Sequence, residues 1–425
     1  MDDVMKKVYR AFDPAPLTRG TTSLYVDLDE VRGSSGLVEK LAGKIRLSAT
    51  NTCQLVTGHR GSGKTTELRQ LQKKLESGEE KQFVVFCEAD KDVDRNDVDF
   101  PDILIAIVRQ MAAQLKERAK IELKPGYFKD RWEQLKELLL SDVEVNEIGL
   151  EAGLLKFSAA IKSSPDTRAK IRESMEPRAN SWIEAANDVI SKAVLELKKK
   201  SYSGLVIIVD DLDKMVLRDR QDGLSTGEYL FIHREGQLSA FACNMVYTIP
   251  ISLAYSCRER NIASLYGQPS IGIVPMTKIK THEGNVWEPG FERFRELIAK
   301  RLKKAGAKEE EVFGEGMRDK LIELSGGQPR ELMNLVRESI VGDGLPITEK
   351  NVERASRNIR HAYARQLRGE HWVLIEAVKK DHEFCGRTEK NDKDWMELLD
   401  SRAVLQYVND KEWYDVNPLV PERKA

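Results

Sequence analysis

One stretch constrains this chain more than any other: Val56-Thr57-Gly58-His59-Arg60-Gly61-Ser62-Gly63-Lys64-Thr65-Thr66. It contains Gly58-x-x-x-x-Gly63-Lys64-Thr65, the full phosphate-binding loop pattern. The apolar run Gln54-Leu55-Val56 before it reads as a strand. The run from Thr65 to Leu75 reads as a helix, with Leu68, Leu71 and Leu75 on one face. The motif therefore sits where its mechanism needs it, between a buried strand and a helix N-terminus.

Each residue type has a physical task. Gly58, Gly61 and Gly63 let the backbone curl and bring its N–H groups close to phosphate oxygens. The segment from Gly58 to Thr66, with His59, Arg60 and Ser62 inside it, is thus the expected nucleotide-binding segment. The following helix points its positive dipole end at the anion. Lys64 is expected to bridge the terminal phosphates of ATP, and the Thr65 hydroxyl to hold a magnesium ion.

A second signal is Gly204-Leu205-Val206-Ile207-Ile208-Val209-Asp210-Asp211. A continuous β-branched run reads as a parallel strand buried on both faces. Two carboxylates at its C-terminal end lie where ligands bind in open α/β sheets. Asp210 is expected to orient magnesium or its water shell, and Asp211 to polarise the attacking water. Asp213 is ambiguous and fits a helix cap equally well. Met245 to Pro250 is a further strand, with Thr248 near its end as a γ-phosphate or water sensor and Pro250 stopping it.

The chain has 425 residues, enough for two to four domains of ordinary size. Net charge is −1, so any basic surface must be local. The five cysteines are scattered without a C-x-x-C pair, which argues against a zinc site or disulfide framework and fits a reducing cytoplasm. The start lacks the apolar core of a signal peptide, and no run of about 18 apolar residues suggests a membrane span.

Other elements follow from periodicity and turn chemistry. Leu24 to Leu28 reads as a short strand and Leu37 to Ile45 as a helix; Tyr25 or Arg32 either closes over a base or packs. Gln82 to Ala89 is a strand. The acidic stretch Asp90 to Asp99 reads as a solvated loop, since its spacing fits no calcium loop. A helix starts near Pro101. Between about 120 and 200 an inserted arm is expected. It comprises a helix from Trp132 to Leu140, a two-stranded hairpin from Val143 to Ser158, a helix capped by Ser164-Pro165, and a helix from Trp182 to Lys200. Ser270 to Met276 is the last strand of the sheet. Arg234, Arg258 and Arg260 read as surface ion-pairing residues, the rival role being contact with a neighbouring subunit's nucleotide.

Phe291 to Ala305, Met317 to Leu324 and Arg330 to Ile340 form a helical lid, broken by Ser325-Gly326-Gly327-Gln328-Pro329. Arg330 follows that turn at a helix start, where its guanidinium is placed to reach phosphate. Val352 to Leu367 is a basic helix. Arg354, Arg357, Arg360, Arg365 and Arg368 share one arc, as either a phosphate-tracking or a solvated or subunit-facing stripe. Two further helices and a hairpin over 403–416 suggest a winged helix. From residue 351 onward 14 Lys or Arg balance 14 Asp or Glu, so that unit is locally neutral.

Taken together, Gly58 to Thr65, the run Val206 to Asp211 and Gly327-Gln328-Pro329-Arg330 resemble the AAA+/STAND class of P-loop ATPases. The order of core, lid and winged helix is similar to the STAND and origin-recognition branches. The resemblance implies a parallel-sheet α/β core over 1–285, a helical lid over 286–344 and a winged-helix-like domain over 345–425. It implies a slow, magnesium-dependent ATPase that couples nucleotide state to assembly with copies of itself or an effector protein, in signalling or bacterial defence. The paired Asp210 and Asp211 depart from the Asp-Glu of many AAA+ enzymes, which bears on hydrolysis. Two rival functions are an ATP-dependent DNA loader or regulator acting through the C-terminal domain, and a nucleotide-binding scaffold without turnover.

Overall fold

The computed structural model describes residues 3–17, 19–33, 36–123, 150–256, 258–383, 388, 391–409 and 411–423. The chain divides into two compact units. One comprises residues 1–37, 58–69 and 273–425, and the other residues 38–57 and 70–272.

The second unit holds the sheet. Its strands are β1 (Cys53–Thr57), β2 (Gln82–Glu88), β3 (Gly204–Asp210) and β4 (Asn244–Thr248), and β5 (Gly272–Ile273) ends it, in the order β2-β3-β4-β1-β5. The pairs β2–β3, β3–β4 and β4–β1 are parallel. Val206, Ile207, Ile208 and Val209 are all fully buried, as a strand covered on both faces requires. The helix Phe100–Gln114 packs on β2, and the helix Ala179–Lys198 packs on β3. Asp99 starts the first of these with a capping box, its own backbone N–H bonded to the Asp102 carboxylate. Together with the strand–loop–helix that carries Gly58 to Thr65, this parallel sheet is a P-loop NTPase core with helical regions attached.

The acidic stretch after β2 is solvated only in part: Arg95, Asn96 and Asp97 are exposed, while its acids are engaged by the fold. Asp92 is buried against Arg109, Gln110 and Ser158, and Arg168 and Arg172 engage Asp94, Asp97 and Asp102. Those arginines belong to the helix Pro165–Met175, which Ser164 caps by accepting the Thr167 N–H at 3.2 Å. Residues 150–163 are helical, which corrects the expected hairpin over their part of the chain. From Leu150 on, Leu, Ala, Glu and Lys dominate, and their helix propensity prevails over a brief alternation. The expected helix Trp132 to Leu140 and the segment Val143 to Gly149 lie outside the described residues.

The first unit is mainly helical. The helices Glu288–Ala305, Met317–Leu324 and Pro329–Ile340 appear as the sequence predicts, broken at Ser325 to Gln328. Three more follow, Glu349–Gln366, Gly369–Asp381 and Asp392–Asp400. They lead into an antiparallel hairpin of β6 (Val404–Val408) and β7 (Glu412–Val416), the element order of a winged helix. Tyr407 and Trp413 stack across the hairpin with centroids 4.5 Å apart. Leu24 to Leu28 is not a strand. Leu24, Val26 and Leu28 are buried in alternation, but the segment pairs with no strand among the described residues. The last strand is shorter than expected. Beyond Val274 the chain turns to the hairpin, and the Met276 N–H donates to the Gln406 carbonyl at 3.1 Å.

Candidate functional site

The phosphate loop lies in the first unit, and three glycines shape it. Gly58, Gly61 and Gly63 have φ of +149°, +90° and +106°, values that L side chains rarely adopt. A Cβ on Gly58 would lie 2.4 Å from the Val274 carbonyl oxygen, and one on Gly63 2.8 Å from the Arg32 guanidinium. Lys64 is nearly buried, and its ammonium donates to the carbonyls of Gly58 at 2.6 Å and His59 at 2.9 Å. The Ser62 hydroxyl is buried with no hydrogen-bond partner among the described residues. A glycine cradle, a lysine at its mouth and an orphaned hydroxyl together form a donor set that fits a phosphate group.

Behind the loop stands a buried ion pair. Arg32 Nη1 meets Glu67 Oε1 at 2.7 Å, with side-chain exposures of 2% and 5%. The other Arg32 nitrogen donates to the Ser62 carbonyl at 2.5 Å. Arg32 therefore braces the loop from beneath, which settles the alternative left open for it in favour of packing. Tyr25 is 3.5 Å from the Glu67 carboxylate and belongs to the same group.

In front, the loop is fastened to the C-terminal elements of its own unit. The His59 ring is fully buried. Its Nε2 accepts the Gln406 N–H of β6 at 2.9 Å. Nδ1 must then carry the ring proton, and it lies 3.2 Å from the Leu399 carbonyl at the end of the helix Asp392–Asp400. Burial, with the Lys64 charge beside it, depresses the imidazole to about 3, so the ring is neutral. The Gln328 side chain donates to the Arg60 carbonyl at 2.8 Å. The Arg330 N–H lies 3.5 Å from the Gly61 carbonyl, and a Cβ on Gly61 would be 3.0 Å from the Arg330 Cβ. Arg402, on the turn into β6, continues the chain to Gln328 at 3.5 Å and Glu331 at 3.6 Å.

The acids belong to the second unit. Asp210 ends β3, and Asp210, Asp211 and Asp213 present ligand atoms all within 4.8 Å of one another. That grouping suits a hard divalent cation. Asp211 adopts a left-handed backbone, φ +73°, which aspartate tolerates. Its carboxylate pairs with Lys214 at 2.5 Å, and Lys214 also reaches Asp90 at 2.9 Å. Burial pushes the Asp211 carboxyl up, only partly offset by Lys214. For Asp90 the push of burial is outweighed by Arg95 and Lys214, which hold it below its ordinary range.

Strand order places β4 between the loop strand β1 and the acid strand β3. Thr248 ends β4, aligned with Val56, fully buried, with its hydroxyl 3.5 Å from the Val209 carbonyl. Arg234 is buried and held by Asp99 and Glu176, so it does not reach outward. Arg258 is half exposed beside Glu228 at 3.3 Å, and Arg260 is exposed.

The structure thus brings Gly58 to Thr66 and Arg330 into one unit, and Asp210, Asp211 and Thr248 into the other. Sequence reasoning missed Lys214, Gln328 as a ligand of the loop, and Arg402. Lys214 was signalled by its position three residues after Asp211, and Gln328 by its place in the Gly-Gln-Pro-Arg turn. Nothing in the sequence marks Arg402.

No protein-family model matches the chain, and no curated protein matches it. Among solved structures it is similar to Cdc6p from Pyrobaculum aerophilum, at 13% identity and a TM-score of 0.39, over 99% of this chain and 95% of that one. The core assignment rests on the parallel sheet and the loop's place after β1. No helix of the described residues is long and apolar enough to cross a membrane.

Proposed function

We propose that this chain is an ATP-binding, slowly hydrolysing switch of the AAA+/STAND kind, acting in the cytoplasm through assembly with itself or an effector protein. The observation that carries this reading is the anchorage of the loop. His59, Arg60 and Gly61 are tied to β6, to the end of the helix Asp392–Asp400 and to the Gln328–Arg330 turn. Loop shape and the position of those elements are then one linked equilibrium. A ligand shifts it by as much as it prefers one loop shape over the other.

In this reading Lys64 leaves the Gly58 and His59 carbonyls to meet phosphate charge, and the loop N–H groups hold the phosphates. Thr65 and Asp210 would hold magnesium, which would supply charge neutralisation. Asp211 takes a proton from the attacking water, with Lys214 fixing its orientation. Thr248 is the polar sensor at the end of β4, and Arg330 reports phosphate occupancy to the lid. The DNA-loader reading is weakened by the arginine stripe, since Arg354 and Arg368 are already paired with Asp343 and with Asp394 and Glu397.

Two measurements test the proposal. Lys64→Ala is expected to lose ATP binding and phosphate release; unchanged affinity and turnover would overturn it. Mass in solution with and without ATP and magnesium is expected to change, and an unchanged mass would remove assembly from the reading.

A further inference from the structure

Four arginines of the basic stripe have different fates. Arg354 bonds Asp343 and the carbonyls of Glu338, Ser339 and Val341, closing the end of the helix Pro329–Ile340. Arg368 is taken by Asp394 and Glu397. Arg357 and Arg360, between them, have no ion pair or side-chain hydrogen bond among the described residues. Both exposed, they line an open concavity of about 750 Å3 between the helices Glu349–Gln366 and Gly369–Asp381 and the C-terminal segment, which adds the exposed Arg423. Three guanidinium groups with no acid partner among the described residues share one concavity.

The other walls narrow the chemistry. Trp372 lines the same cavity, half-buried, with no ring stacked on it among the described residues. Glu353 and Glu422 also line it, and neither makes an ion pair with the arginines. Two carboxylates among the cations disfavour a backbone with phosphate along its whole length more than a ligand with phosphate at one end only. A ligand with phosphate at one end and hydroxyl groups and a planar ring elsewhere satisfies all three elements. Guanidinium forks take phosphate, carboxylates accept from sugar hydroxyls, and an indole stacks on a base. The volume falls in the range of small-molecule sites.

We infer that this cavity binds a free nucleoside phosphate, in a second nucleotide site separate from the Gly58–Thr66 loop. Arg357, Arg360 and Arg423 take the phosphate, Trp372 the ring, and Glu353 and Glu422 the ribose hydroxyls. The inference does not depend on ATP binding at Lys64.

The test titrates the four nucleoside monophosphates, inorganic phosphate and a 5′-phosphorylated single-stranded oligonucleotide into the full chain by calorimetry. Both the unaltered protein and its Lys64→Ala variant are used, so that the loop's contribution is separated. At least one monophosphate is expected to bind at one saturable site in both proteins. Arg357→Gln with Arg360→Gln should weaken that binding about tenfold or more, and Trp372→Ala should reduce it to the level of inorganic phosphate. Thermal melts of each variant establish that it is folded, and Trp372→Phe should retain binding. Absence of monophosphate binding up to about 1 mM, a range that covers weak small-ligand sites, would overturn the inference. So would binding indifferent to the arginine pair, or binding of the oligonucleotide alone.

Discussion

His59 and Gln406 are 347 residues apart in sequence, yet the imidazole Nε2 of one accepts the backbone N–H of the other at 2.9 Å. Gln406 lies on the side of β6 that faces away from β7, where a strand edge exposes donors and acceptors. Its N–H goes to His59 and its carbonyl to Met276. A buried N–H must find a partner, and here a phosphate-loop side chain provides it.

Burial of that ring, with the Lys64 charge beside it, sets a pH dependence. The imidazole is held at about 3 when folded, against an ordinary 6.5. Between those values the unfolded chain binds a proton that the folded chain refuses, so stability rises with pH across that window. From pH 7.5 to 5.5 the wild type should lose about 1.4 kcal/mol more stability than His59→Gln, whose amide cannot titrate. Urea midpoints of both proteins at the two pH values measure this. Parallel losses would place the proton elsewhere.

The Arg32–Glu67 pair makes a different forecast. Removing one partner strands the other charge in the interior, so Arg32→Met should cost about 3 kcal/mol or more. The double change Arg32→Met with Glu67→Leu should recover much of that loss. ATP affinity should remain poor in both, because the Ser62 carbonyl loses its brace. Chemical denaturation of the two singles and the double gives the coupling directly.

Two glycines separate backbone strain from crowding. Gly58→Ala adds a methyl 2.4 Å from the Val274 carbonyl oxygen at φ +149° and should cost about 3 kcal/mol. Gly78 has φ +88° with open space around its Cβ position, so Gly78→Ala should lose only about 1 kcal/mol. Thermal midpoints of the pair decide it, and equal losses would remove the steric part of the argument.

Asp211→Asn preserves shape while removing the basic oxygen. ATP affinity should stay within a few-fold of wild type, while phosphate release falls roughly 100-fold, the usual contribution of a general base. Normal release in this variant would assign the proton to another group.

The local features of this protein were written in the sequence. The glycine spacing fixed the loop, because only glycine reaches those φ values without strain. The run Val206 to Val209 announced a doubly covered strand, and Pro101 and the Ser164 cap announced helix starts, because such signals act over a few residues. Tertiary structure decided what lies beyond that reach. Alternation at Leu24 to Leu28 gave burial without a strand, since a ladder needs a neighbour. The arginine stripe divided into paired and unpaired members according to which acids the fold brought near. The His59–Gln406 bond needed residues from opposite ends of the chain to meet, and no periodicity encodes a meeting across that distance.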